Sequence, residues 1–199
     1  MDLPPNRKQV SPTSAPAPVY GPATLDQFDL LPEDNTHRYE LIDGRILVSS
    51  RPRANHQVVL VELLVALRQA LPAGYLVVPE VEVEFDDRHQ CTVPDLLVIR
   101  PGVDRDVARF FSRDLALSIE IVSPGSKRLD RQTKRRIYAE GQIPAYWVVE
   151  TDPFSITIHQ LVDGWYQLAQ VFDGDELVVT GAIEMKLDLS AARRATLDD

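Results

Sequence analysis

The sequence predicts an α/β (α+β) domain whose core follows the order helix, three strands, helix, strand. Three observations predict it. One long segment has apolar residues at helical spacing, several apolar strand-like runs follow it, and a basic helix-like segment precedes the last of these runs. We expect a mixed central sheet, a β-hairpin in front of this core and a β-meander after it.

The N-terminal part contains an arm, a short helix and a hairpin. Residues 1–22 are rich in Pro, Ser and Ala without apolar periodicity, which predicts a flexible arm. A short helix is expected over residues 24–30, with its first residue as the cap. Residues 38–50 form two strand-like runs joined by Asp43 and Gly44, a pair typical of tight hairpin turns with positive φ.

The core elements follow in order. Residues 55–71 predict the longest helix, with Asn55 as its cap and Pro72 as its stop. The remaining segments are strands over 76–85, 92–99 and 115–122, a basic helix over 126–140 that ends at Gly141, and a buried strand over 145–150.

The C-terminal part has a different pattern. Short strand-like runs over 155–161, 165–172 and 176–179 are separated by Asp-Gly pairs and predict a meander that extends or covers the sheet. The length favours one domain, which we place over residues 23–190, followed by a polar tail over 191–199.

Composition indicates an ordinary globular protein. Hydrophobic residues make up 44% of the chain and charged residues 26%. No apolar run approaches the roughly 18 residues that span a bilayer, and the N-terminus lacks the apolar core of a signal peptide, so we expect a cytoplasmic protein without a membrane partner. The single cysteine, Cys91, can form no internal disulfide and agrees with a reducing compartment.

Charge is distributed unevenly along the chain. The net charge of -9 argues against general coating of nucleic acid. Residues 126–136 nevertheless carry six basic residues against the single acid Asp130. This segment suits a focused phosphate contact through Lys127, Arg128 and Arg131, with a solvated helix face as the alternative.

Two carboxylates on separate strand-like runs suggest a metal site. Asp95 follows Pro94 at the start of an apolar run, and Glu120 lies near the end of the next run. A carboxylate beside buried apolar surface needs a pairing partner or a bound cation. If the two strands are neighbours, both carboxylates can bind one hard cation such as Mg²⁺, with the backbone carbonyl of Ile121 as a further ligand. The alternatives are a turn residue for Asp95 and a salt-bridge partner for Glu120.

Strand alternation predicts the surroundings of Glu120. Its face of the strand carries Ala116, Ser118 and Val122, whereas the opposite face is aliphatic from Leu115 onward. These small residues predict space for a ligand beside Glu120.

Helical spacing predicts that Lys134 points inward. On a helix it shares a stripe with Asp130, Ile137 and Tyr138. An inward ammonium group needs an anion, which a carboxylate pair or a scissile phosphate would provide. The alternative is a lysine stem along the core edge with its head in water.

Several short motifs together resemble the Uma-two family, a bacterial group of restriction-endonuclease-like proteins in the PD-(D/E)XK nuclease superfamily. They are Tyr39-Glu-Leu-Ile-Asp-Gly44, His56 at the start of a helix, Pro94-Asp95, Ile119-Glu-Ile-Val-Ser-Pro124, Asp130-x-x-x-Lys134-x-x-x-Tyr138 and Ile143-Pro-Ala-Tyr-Trp-Val-Val149. The resemblance covers about residues 25–189. It implies a restriction endonuclease-like αβββαβ core with Asp95 and Glu120 as ligands of Mg²⁺ or Mn²⁺.

The chain departs from the superfamily pattern at one position. The usual lysine two residues after the acid is replaced by Val122, and the resemblance implies that Lys134 on the next helix takes its place. Glu40 lies within the first motif and is a candidate third acid or a strand-edge carboxylate. His56 is a candidate general base or phosphate contact, with a capping or packing histidine as the more common role.

The leading hypothesis is a Mg²⁺-dependent endonuclease that hydrolyses DNA through a metal-activated water. Asp95 and Glu120 would hold the metal, and Lys134 would orient the water or neutralise the phosphate. The alternative is a noncatalytic nuclease-fold module that binds nucleic acid or protein. A third hypothesis is an acidic structural or regulatory protein whose β-rich C-terminal half forms a homodimer, and a homodimer is expected for the nuclease as well.

Overall fold

The computed structural model describes residues 22–32, 34, 36–123 and 125–196. The predicted arm therefore lies outside the described residues, apart from its last position, and so does the end of the predicted tail. Among the described residues, none of the helices combines the length and the apolar character needed to cross a membrane.

A six-stranded mixed sheet forms the centre of the protein. The strands are β3 (Leu76–Pro79), β6 (Leu96–Ile99), β8 (Leu115–Ile121), β9 (Ala145–Thr151), β10 (Phe154–Val162) and β11 (Trp165–Phe172). Their spatial order is β11-β10-β9-β8-β6-β3, in which β8 and β9 are parallel and the other neighbours are antiparallel.

Helices cover both faces of this sheet. On one face, α2 (Ala54–Ala70) packs its buried residues Leu63 and Leu67 against the aliphatic side of β8, in what we call the α2 cluster. On the other face, α3 (Arg135–Glu140) places Ile137 and Tyr138 in a second apolar cluster, the α3 cluster. The predicted helix, three strands, helix, strand order is therefore confirmed, although Arg53 rather than Asn55 occupies the N-cap position of α2.

A five-stranded sheet lies beside the central one. It consists of β1 (His37–Ile42), β2 (Arg45–Ser50), β4 (Glu82–Glu84), β5 (Cys91–Thr92) and β7 (Arg109–Phe111), in the spatial order β2-β1-β5-β4-β7. The hairpin of β1 and β2 turns at Asp43 and Gly44, whose φ angles of 50° and 66° confirm the predicted turn. The short helix α1 (Leu25–Phe28) packs on this sheet, with Thr24 at its N-cap position as predicted.

Two predicted strands each divide between the two sheets. The run over 76–85 breaks at Glu80, which has a φ of 51°, and becomes β3 and β4. The run over 92–99 breaks at Pro94, which lacks the N–H needed to continue a strand, and becomes β5 and β6. The two breaks are neighbours, because the N–H of Glu80 donates to the carbonyl of Asp95 at 3.2 Å. Asp95 thus lies where the chain passes from one sheet to the other.

Two further predictions of local geometry are wrong. A bulge in β8 pairs Leu117 with Val98 but Leu115 with Ile99, so Ala116 is the extra residue and Leu115 moves to the side of Glu120. The basic segment is not one regular α-helix, because a π-helical turn over Leu129–Lys134 precedes α3. Gly141 follows the end of α3, as predicted.

The C-terminal meander both extends and covers the sheet. Strands β10 and β11 extend it, whereas β12 (Glu176–Val179) and β13 (Met185–Asp188) form a separate hairpin that packs in the α2 cluster through Leu177 and Leu187. The predicted polar tail begins with a helix, α4 (Ser190–Arg194), whose Ala192 is buried in the same cluster.

Candidate active site

Five charged side chains are buried together near the junction of the two sheets, and we call them the ionic cluster. None exposes more than 3% of its surface, although such residues are almost never fully buried unless they are paired. They come from β1, the Pro94 break, β8 and the π-helical turn, and they are Glu40, Asp95, Glu120, Asp130 and Lys134. The structure thus brings together all three predicted catalytic residues and the candidate third acid.

Lys134 lies at the centre of the ionic cluster. Its Nζ is 2.9 Å from Oε1 of both Glu40 and Glu120, and 4.0 Å from Oδ1 of Asp130. Burial by itself would lower the pKa of Lys134, but the surrounding carboxylates outweigh burial and raise this pKa well above its ordinary value. Lys134 is therefore an inward cation and does not extend its head into water.

Glu120 receives two hydrogen bonds on one oxygen. Its Oε1 accepts from Lys134 Nζ at 2.9 Å and from the Tyr138 hydroxyl at 2.6 Å. Burial raises the pKa of Glu120 well above its ordinary value; Lys134 opposes this shift, and the nearby negative charge of Asp95 adds to it. A further positive charge near Glu120 would stabilise the ionised carboxylate.

Asp95 is held by three donors. Its Oδ2 accepts from the N–H of Ile121 at 2.8 Å and lies 3.1 Å from Nε2 of His56, while its Oδ1 accepts from Nη1 of Arg38 at 3.1 Å. Burial would raise the pKa of Asp95, but the hydrogen bond and charge of His56, together with the charge of Arg38, lower it below the ordinary value. Asp95 is therefore an ionised carboxylate in a fixed orientation.

His56, in the first turn of α2, faces the site. Burial would lower its pKa, but the hydrogen bond to Asp95 and its charge raise it. Its Nδ1 is buried and has no hydrogen-bond partner among the described residues. His56 is thus a neighbour of the predicted metal ligand.

Glu40 and Asp130 complete the ionic cluster around Lys134. Oε1 of Glu40 also accepts the N–H of Val93 at 2.8 Å, so Glu40 ties β1 to the residue before Pro94 and is not a strand-edge carboxylate. Asp130 has a pKa raised to about 6, chiefly by burial, with Lys134 opposing the shift. Both carboxylates add negative charge to a site that solvent does not screen.

Arg38 is a site residue that the sequence analysis missed. It lies two positions before Glu40 on β1, so strand alternation, which places these two residues on one face, was the signal that could have found it. One end of its guanidinium contacts Asp95 and the other contacts Glu80. Arg38 therefore connects the ionic cluster to the surface, and Glu80 is a paired carboxylate.

A cavity of about 560 Å³ lies on the outer side of Arg38. Its lining includes Arg38, Glu80 and Val93 beside the ionic cluster, and Phe28 and Tyr39 farther out. By contrast, the face of β8 that carries Glu120 is not open, because Tyr138 and Tyr146 pack beside Val122 there. The prediction of ligand space above the small residues of β8 is therefore wrong, and the cavity is lined by Arg38 rather than by the five residues of the ionic cluster.

The predicted phosphate contacts lie outside the ionic cluster. Lys127 and Arg128 are exposed, and Arg131 is paired with Glu150 through a bond of 2.8 Å from its Nε. Ile121 offers its N–H to Asp95, whereas a metal contact by its carbonyl stays a prediction.

The donors of the site suit a hard divalent cation. The described residues contain no group of three or more His, Cys, Asp or Glu side chains arranged to hold a metal ion. Mg²⁺, however, is usually held by one or two carboxylates together with waters and substrate phosphates. The carboxylates of Asp95 and Glu120 fit that mode of binding by their chemistry.

Comparison with known proteins identifies the family. Residues 25–192 match the model of the Uma2 family, which is described as putative restriction endonucleases. The chain belongs to this family. A Uma2 relationship agrees with the sequence motifs at Tyr39–Gly44 and around Asp95 and Glu120.

Two relatives extend the comparison. The chain is 25% identical over 181 residues to slr1290, an uncharacterized protein of Synechocystis, and the match covers 89% of this chain and 88% of that protein. It is similar, with a TM-score of 0.70 and 19% identity, to a crystal structure from Anabaena variabilis described as a putative nuclease of DUF820, over 88% of this chain and 99% of the other. The second likeness confirms the predicted nuclease-like fold.

Proposed function

We propose that this Uma2 protein is an endonuclease that hydrolyses DNA phosphodiester bonds with Mg²⁺ or Mn²⁺. The observation that carries the proposal is the charge of the buried site. Among the residues that the structure describes, four carboxylates exposed by no more than 3% face two permanently charged cations, Lys134 and Arg38. Buried negative charge in excess favours binding of a cation, and the family description supports nuclease chemistry.

Asp95 and Glu120 would hold the metal ion, with the carbonyl of Ile121 as a further ligand. When bound, the ion would lower the pKa of a water molecule and offset negative charge at the phosphorus. Arg38 and His56 fix the orientation of Asp95, so the chain provides a preorganised carboxylate.

Lys134 and His56 have separate roles in this proposal. Lys134 holds Glu40 and Glu120 in place and contributes a permanent positive charge near the scissile phosphate. With a proton on the Nε2 that faces Asp95, neutral His56 has a basic Nδ1 that can accept a proton. DNA would approach from the cavity at Arg38, and the exposed Lys127 and Arg128 would contact phosphates farther along the strand.

The test is a plasmid-cleavage assay with and without Mg²⁺ or Mn²⁺. We expect cleavage by the wild type only with metal, and a loss of at least about 100-fold in Asp95→Asn and Glu120→Gln. Glu184→Gln is the matched control, because Glu184 is exposed far along the chain between β12 and β13, and it should cleave normally.

A binding measurement separates catalysis from a noncatalytic module. We expect Mn²⁺ to raise the melting temperature of the wild type and of Glu184→Gln but not of Asp95→Asn. If Mn²⁺ leaves the wild-type melting temperature unchanged and no DNA or RNA substrate is cleaved, the endonuclease proposal fails and the nuclease-fold binding module replaces it.

A further inference from the structure

Strand β11 forms an edge of the central sheet and carries none of the usual protective residues itself. Among the described strands it pairs only with β10, and none of its eight residues is charged or a proline. Natural edge strands are commonly short, charged or interrupted by proline, since an open edge can pair with another chain. The other edge of the same sheet follows this rule, because β3 has four residues and ends at Pro79. The two edges therefore differ in their capacity to bind a further strand.

Exposed apolar side chains accompany the open edge. Trp165 is 70% exposed, Leu168 59% and Val171 61%. On a chain with a net charge of -9, this neutral apolar strand is a place where two copies could meet without repulsion between strand side chains. The composition therefore favours a second copy of the chain as the partner.

A bulge decides which residues of β11 share a face. His159 pairs with Leu168 and Ile158 pairs with Gln170, so Ala169 is the extra residue. Trp165 and Gln167 therefore lie on the same face as Gln170 and Phe172, as their partners along β10 show. Tyr166, Leu168 and Val171 lie on the opposite face. This assignment agrees with Phe172 packing in the α2 cluster and Tyr166 packing in the α3 cluster.

We propose that two copies of the protein form a dimer by antiparallel pairing of their β11 strands about a two-fold axis between Leu168 and Ala169. The pairing is self-complementary, as an interface between identical copies must be. It sets Trp165 opposite Phe172, Tyr166 opposite Val171, and Gln167 opposite Gln170. Two residues that lie across from each other in an antiparallel strand pair have their side chains on the same face of the sheet. Because Ala169 is an extra residue in β11, the two members of each of the three pairs meet this condition. Without the extra residue, the two side chains of each pair would lie on opposite faces.

The backbone of the edge can accept this partner. Arg135 donates to the carbonyl of Tyr166 at 2.8 Å, which indicates that this carbonyl faces away from β10. A carbonyl oxygen has two lone pairs, so it can also accept the N–H of Val171 from the second copy. A stable interface buries about 1,600 Å² in total, and Trp165, Leu168 and Val171 would add side-chain area on both faces of the joined sheet.

The first test is the mass in solution, measured by sedimentation equilibrium. We expect the wild type at twice the 22.4 kDa chain mass and Val171→Lys at the single-chain mass. Val178→Lys is the matched control, because Val178 is 58% exposed on β12, and it should remain dimeric. A monomeric wild type, a dimeric Val171→Lys variant or a monomeric Val178→Lys variant would overturn the proposal.

The second test examines the register. In the double variant Gln167→Cys/Gln170→Cys, each new cysteine faces the other position in the second copy at a Cβ separation of about 4.5–5.5 Å. We expect oxidation to produce a covalent dimer, whereas Gln167→Cys alone should not cross-link. The native Cys91 is buried and does not compete. A dimer that does not cross-link in the double variant contradicts this register. Neither test depends on the proposed cleavage of DNA.

Discussion

The two sides of the segment over 126–140 show how one charged sequence can have two physical roles. On the inner side, Asp130, Lys134 and Tyr138 are buried to 98% or more and make short contacts with carboxylates or lie close to them. On the outer side, Lys127 and Arg128 are exposed. The inner charges hold the fold and the site together, whereas the outer ones are available to a ligand.

The difference arises from burial rather than from residue type. A charge in water interacts with its neighbours by about 1 kcal/mol or less, because solvent screens it. The same charge inside the protein must be matched by an opposite charge, and loss of that match has a large cost. The comparison therefore predicts large effects on stability for inner substitutions and effects on binding for outer ones.

Lys134→Met should have the largest effect on stability. It leaves Glu40 and Glu120 buried without their shared cation, and removal of one partner from a buried ion pair costs about 3–5 kcal/mol. Urea unfolding followed by circular dichroism measures this loss. Lys186→Met is the control, because the exposed Lys186 pairs with Glu176 at 2.8 Å and should change stability by less than about 1 kcal/mol. Equal losses in the two variants would contradict the distinction between buried and exposed cations.

Sequence patterns predicted the inner side well because they report on periodicity. The stripe of Asp130, Lys134 and Tyr138 recurs at every fourth position, and this spacing keeps side chains on one side in the π-helical turn as well as in α3. The apolar runs likewise predicted the order of the core. These features depend on local geometry, which the sequence encodes directly.

Features that depend on the meeting of distant segments were harder to predict. Strand breaks at Glu80 and Pro94 divide two apolar runs between the two sheets. The bulge at Ala116 places Leu115 on the same face of β8 as Glu120. Arg38 was missed because its partner, Asp95, is 57 positions away. Tyr138 was predicted only as a member of the inward stripe, since nothing local indicates which buried carboxylate its hydroxyl will reach.

Tyr138→Phe should have an intermediate effect. It removes the hydroxyl that donates to Glu120 at 2.6 Å, and hydrogen bonds to charged groups contribute about 1.5–3 kcal/mol. Tyr146→Phe is a close control, because Tyr146 is equally buried but donates at 2.7 Å to a neutral backbone carbonyl, that of Asp130. We expect it to lose only about 0.5–1.5 kcal/mol in the same urea experiment. A larger loss of unfolding free energy in Tyr146→Phe than in Tyr138→Phe would show that the charge of the accepting group does not determine which hydrogen bond stabilises the fold more.

Substitution of Lys127 and Arg128 by Ala should change stability least and DNA binding most. Both side chains are exposed, so we expect a change in unfolding free energy within about 0.5 kcal/mol. Each lost phosphate contact should reduce the slope of log affinity against log salt concentration by about 0.9, a reduction of about 1.8 for the double variant. Fluorescence anisotropy with duplex DNA in the Asp95→Asn background measures binding without cleavage.

Two comparisons sharpen the outer-side experiment. Arg131→Ala should change this slope less than Lys127→Ala or Arg128→Ala, because the guanidinium of Arg131 is already paired with Glu150. Arg193→Ala in α4, which lies on the α2 side of the sheet and pairs with Asp175, should leave the slope unchanged. If Lys127→Ala/Arg128→Ala leaves the slope of log affinity against log salt concentration unchanged, the basic outer side is a solvated helix face. DNA would then contact other surfaces, and the cavity at Arg38 is the first of these to test.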